Sequence, residues 1–132
     1  MSKTNETIKS FKKDILGMQV TDIRIGFSTT LELSTEAKFY RIGLGSSEAE
    51  ILGEKFSIAP IDIRSKLILA DFFKSVVSGF EVAENGDLLI EFDNGMKKIR
   101  NPAIPDYEAW EINTASNLQI ICTPGGEITI FE

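Results

Sequence analysis

Three glycine turns cut the second half of the chain into short apolar strands: Asn85-Gly86, Asn94-Gly95 and Pro124-Gly125-Gly126. Asn-Gly between alternating runs is the strongest local signal for a tight type I′ hairpin. Glycine in a Pro-Gly-Gly turn supplies the positive φ that other residues resist. The runs are "GFEVAENGDLLIEF", "LIEFDNGMKKIR", "YEAWEI", "NLQIICT" and "GEITIFE", with a turn at 113–117. This predicts an antiparallel meander. A βαβ nucleotide fold needs crossover helices between strands, and the pattern has none there.

Upstream, Ile8, Phe11 and Ile15 predict an amphipathic helix over residues 5–16, stopped by Gly17. "MQVTDIRIGF" alternates as a strand. A hairpin follows, with strands at 30–33 and 38–44 around a turn at 34–37. "GSSEAEILGEKFSIAP" is irregular, and Ser47 with Glu50 fits a capping box at a helical turn. A second helix is expected over "IDIRSKLILADFFKSVV", opened by Asp62. It is apolar almost all round, which predicts burial on more than one side, with an exposed interaction helix as the alternative. "LELSTEAKFYR" at 31–41 also lines up with "IEFDNGMKKIR" at 90–100, an offset of 59.

These elements predict one α+β domain over residues 1–132, with residues 1–4 disordered. Two helices pack on mostly antiparallel sheet built from hairpin units, with a weak internal duplication. The length suits one domain.

The chemistry is bounded by what is missing. The chain has no histidine and one cysteine, Cys122. That removes Ser–His–Asp and Cys–His mechanisms and a thiolate–imidazole zinc site. Cys122 alternates within a strand, as a buried, unreactive thiol does. "GLGSSEAE" lacks the lysine of a phosphate loop, and Glu48 and Glu50 oppose a phosphate. "DNG" at 93–95 is too short for a calcium loop.

"PDYEAWEI" holds the remaining chemistry. Two carboxylates flanking a sugar would suit a glycosidase. In a strand, however, Glu108 and Glu111 point to opposite faces, and Asp106 and Glu108 share a face with Trp110. The stretch is therefore expected to be a strand over about 107–112 that buries Trp110. No catalytic residue, metal or cofactor is assigned.

Net charge is −6, unevenly placed. Residues 1–66 hold ten Lys/Arg against nine Asp/Glu, and residues 67–132 hold four against eleven. No cation follows Arg100. Such a surface repels phosphates, so neither nucleic acid nor an anionic membrane is expected as partner. It draws a basic protein. The expected contact residues are Asp106, Glu108, Glu111 and Glu127. With no apolar run long enough to span a bilayer and no signal-peptide core, the expected compartment is the cytoplasm.

"PDYEAWEI" and "LQIICTPGGEITIFE", with "GDLLIEFDNGMKKIRNP" and "GMQVTDIRIGFSTTLEL", resemble a family of small uncharacterised bacterial proteins. Its pattern is Asp-Tyr-Glu-Ala-Trp-Glu followed by Pro-Gly-Gly-Glu. This chain departs from it at "INTASNLQ". Members are similar in style to immunity proteins of bacterial toxin systems. The resemblance implies a non-catalytic protein that binds and neutralises a cognate toxin. The rivals are a small enzyme or ligand-binding domain with a carboxylate-lined cavity, and a structural subunit of a larger assembly.

Overall fold

The structure is a computed structural model and describes residues 3–114 and 116–132. The chain runs α1 (Lys3–Ile15), β1 (Gln19–Ile25), β2 (Thr29–Ser34), β3 (Phe39–Leu44), β4 (Ser47–Ile51) and β5 (Glu54–Ile58). It continues with α2 (Ile63–Lys66), a 3-10 helix (Leu67–Phe72), β6 (Val77–Val82), β7 (Leu88–Phe92) and β8 (Lys97–Asn101). It ends with β9 (Trp110–Thr114), β10 (Gln119–Cys122) and β11 (Ile128–Phe131). All named strand pairs are antiparallel, so the α+β expectation holds. Of the four residues expected to be disordered, Met1 and Ser2 lie outside the described residues, and Lys3 and Thr4 open α1.

The strands form two sheets, ordered β1-β2-β3-β9-β10-β11 and β5-β4-β8-β7-β6. This order carries the 59-residue offset further than the sequence did. The first three strands of each half make one side of a sheet. The rest cross to the other sheet, β4–β5 in the first half and β9–β11 in the second: β4 pairs β8, and β9 pairs β3. The leading segments of the halves pair with each other through the Gln19–Val76 bridge and the Val20 N–H to Ser75 C=O bond of 2.9 Å. Each half's helical segment packs on the other half's first strand, α1 on β6 and the 3-10 helix on β1.

Alternation explains the core. Leu31, Ile42, Ile112 and Ile120 lie side by side across one sheet, and Ala49, Ile99, Ile90 and Phe80 across the other. All are buried in one apolar cluster, where each large side chain contributes roughly 1.5–3 kcal/mol. Phe11 of α1 stacks on Tyr40 and meets Phe80 edge-on, with centroids 4.8 and 5.3 Å away. In β1 the apolar parity slips between Val20 and Ile23. A bulge between Val20 and Asp22 absorbs the slip, so both side chains keep to the face of Leu33 and Leu31.

Three local expectations are corrected. Ser47 and Glu50 form no capping box. They lie in β4, which makes a hairpin with β5 in the stretch read as irregular. An Ser-x-x-Glu pattern is also an alternating strand once β8 offers a ladder. Second, only Gly86 of Asn85-Gly86 has positive φ, so this is not a type I′ turn. Gly86 N–H bonds back to Ala83 C=O, giving a three-residue turn closed by a left-handed glycine. Asn94 and Gly95, at φ 60° and 90°, do take the type I′ signs.

Third, the long second helix is not α. Asp62 caps α2 by accepting from the N–H groups of Arg64 and Ser65, but α2 ends at Lys66. The chain then winds as the 3-10 helix until Phe73 turns extended and Lys74 goes left-handed at φ 70°. Three residues per turn align positions three apart. Lys66, Leu69, Phe72 and Ser75 face inward, and Leu67, Ala70 and Phe73 face solvent.

The β4–β5 turn stores strain. Leu52 sits at φ 49° with its side chain largely in water. Asparagine adopts this conformation more readily. Leu52→Asn is expected to stabilise the fold by about 1 kcal/mol, read as a higher denaturation midpoint at unchanged slope.

Candidate functional site

The stretch "PDYEAWEI" lies where the chain returns from one sheet to the other. Asn101 ends β8 fully buried. Its Oδ1 accepts from Gly45 N–H at 2.8 Å, and its Nδ2 donates to Ala109 C=O at 3.0 Å. Gly45 lies on the opposite crossing, from β3 to β4, and a Cβ there would come within 2.5 Å of the Ala109 oxygen. One amide side chain thus ties the two crossing strands of backbone together.

The connecting segment 102–109 is anchored along its course. Ala103 N–H donates to Asp87 Oδ1 at 2.8 Å, Ile104 C=O accepts from Gly125 N–H at 2.9 Å, and Ala109 N–H donates to Cys122 C=O at 3.0 Å. Between these ties Pro105, Asp106, Tyr107 and Glu108 are exposed. The expected strand over 107–112 is therefore corrected: pairing begins only at Trp110, because 102–109 is occupied in crossing. Trp110 is buried, as expected, and its Nε1–H donates to Gly86 C=O at 2.9 Å.

Glu108 and Glu111 do not face apart. Both line one hollow of about 200 Å³ with Ser28, Thr30 and Gly43. The opposite-face expectation fails because Glu108 precedes the strand. Glu127 borders a separate hollow with Thr4 and Glu132, and Asp106 borders neither of the two. Among the described residues Asp106, Glu108, Glu111 and Glu127 enter no ion pair; Glu111 only accepts an amide bond from Gln119 at 3.1 Å. By contrast, Glu32 pairs with Arg41 and Glu50 with Lys98.

A larger hollow of about 480 Å³ lies on the other sheet, lined by Glu48, Glu81, Asp87, Leu89, Arg100 and Pro102 among others. It repeats the first: 28, 29, 30 and 43 in one are 87, 88, 89 and 102 in the other, again 59 apart. Glu48 faces Arg100 directly across the β4–β8 pair. Sequence reasoning missed both Arg100 and Tyr107. Tyrosine beside two acids in a turn-flanked stretch is the available signal, and the strand pattern over 107–112 hides it.

Other reactive groups are held down. Burial, then the charge of Asp87, pushes the Cys122 thiol up, outweighing a backbone hydrogen bond from Ala109. Burial, then the hydrogen bond to Asp14, pushes the Tyr40 hydroxyl up to about 12. Among the described residues no three His, Cys, Asp or Glu side chains are grouped to hold a metal, and no helix is long and apolar enough to cross a membrane.

The chain belongs to a family of unknown function, DUF6188, whose model matches residues 11–132. The match fits the resemblance at the level of an uncharacterised family. No curated protein and no solved structure matches.

Proposed function

We infer that this member of the family is a non-catalytic binding protein, an immunity protein that neutralises a basic toxin with its acidic C-terminal surface. One observation carries the reading. The segment 105–108 is exposed while its flanks are tied to Asp87, Gly125 and Cys122, so Asp106, Tyr107 and Glu108 stand preorganised, with no cation paired to them among the described residues. Tyrosine is a favoured interface anchor, and fixing a loop beforehand lowers the entropy lost on binding. Unpaired carboxylates around it speed the encounter with a basic partner.

The test is binding to the protein encoded by the neighbouring gene, followed by calorimetry and stopped flow. Glu108→Lys/Glu111→Lys is expected to slow association by about tenfold or more at low salt, with the difference shrinking as salt screens it. Tyr107→Ala is expected to cost about 2 kcal/mol, mainly through faster dissociation. Binding that ignores salt and all three substitutions would remove the acidic loop from the interface.

A specific observation also favours a subunit of a larger assembly. Ile61, Ile63, Leu67 and Phe73 are large apolar side chains left in solvent.

A further inference from the structure

The outward row of the 3-10 helix is more apolar than its inward row. Leu67, Ala70 and Phe73 face water, while the buried row includes Lys66 and Ser75. Ile63, one α-helical turn before Leu67, extends the row, and Ile61 just ahead of α2 is almost wholly exposed. At the nearby tip of the β1–β2 hairpin Phe27 is also fully exposed. The tip is held close to α2, because the buried Lys66 ammonium donates to Gly26 C=O at 2.7 Å. A surface element turned inside out in this way is built to be covered.

We propose that a second copy of this chain covers it, in a two-fold symmetric dimer. Charge points to this occupant. The exposed charges along the segment are Asp62, Arg64, Asp71 and Lys74, which cancel and form no ion pair among the described residues. A patch whose charges cancel meets its own copy without local repulsion and adds little salt dependence of its own. A strongly basic partner gains nothing at a neutral patch. Size bears on it as well. A buried aromatic brings roughly 150–250 Å². Phe27 and Ile61 offer nearly their whole surface and Phe73, Leu67 and Ile63 about half of theirs, which makes a patch somewhat below the roughly 800 Å² per partner of a standard interface. The inference does not rest on the toxin-binding reading.

The two are separable by salt. Two copies each carrying −6 repel at long range, so screening tightens an apolar dimer. Screening loosens a contact between opposite charges. Sedimentation equilibrium of the full chain at low and high salt is expected to show a dimer that strengthens with salt. Leu67→Glu/Phe73→Glu, checked for folding by circular dichroism, is expected to weaken it by about tenfold or more. Phe27→Ser, at a site with no core contact to lose, is expected to act in the same direction. A wild-type chain that stays monomeric throughout would overturn the proposal. So would a folded Leu67→Glu/Phe73→Glu chain that dimerises like the wild type. A monomeric wild type that loses its neighbour-gene partner on the same change would assign the patch to that partner and overturn the second copy.

Discussion

Gly126→Ala is expected to cost about 4 kcal/mol or more, enough to leave much of a small domain unfolded at ordinary temperature. Two effects add. Gly126 has φ 92°, and a Cβ there would run into the Asn85 carbonyl oxygen. Gly86, on the facing turn, would likewise drive a Cβ to 2.5 Å from the Gly126 oxygen. The β6–β7 turn of one sheet and the β10–β11 turn of the other therefore meet backbone to backbone, with no room for a methyl group. Neither partner is a flexible side chain that can swing away. Gly125→Ala is the control: φ is 87°, but nothing lies within 4 Å of the added Cβ. It should lose only the conformational term, about 1–2 kcal/mol. Denaturant titrations of both variants give the comparison. Equal losses would mean that the two turns do not touch as described.

Trp110→Ala is expected to cost about 3–5 kcal/mol, as for other large core deletions. The indole fills the space beside Leu44 and Cys122, its neighbours across β9. Its N–H bond to Gly86 C=O ties that filling to the meeting of the two turns. Trp110→Phe keeps most of the ring and leaves that oxygen only a long 3.5 Å contact from Cys122 Sγ, at a cost of about 1–2 kcal/mol. Because Trp110 and Gly126 both bear on Gly86, their effects should not add. Near-neutral unfolding data for Trp110→Ala would place the indole outside the core.

The sequence showed the hairpins because alternation and turn residues act over a few positions. Residues 29–44 and 77–101 needed no distant information. The β4–β5 hairpin was missed because Ser47 and Glu50 satisfy a capping pattern locally, and only the β8 ladder makes them a strand. The second helix misled because a segment apolar on nearly every side shows no 3.6 period. Its three-residue period separates Lys66, Leu69 and Phe72 from Leu67, Ala70 and Phe73 only once burial is known. The acids were legible as types but not as neighbours. Glu108 joins Glu111 because Asn101 holds Ala109 at the crossing, a contact no local rule carries.

The crossing of β4–β5 and of β9–β11 between the sheets also fixes an order of events during synthesis. When β3 leaves the ribosome, its partner β9 lies some seventy residues ahead, and the β4–β5 hairpin has no ladder until β8 arrives. Pairings so distant in sequence are slow to close. Until they form, the nascent first half offers two bare strand edges to any neighbouring chain. Neither half can complete a sheet alone. A nicked or split chain should therefore regain its fold only when both pieces are present together.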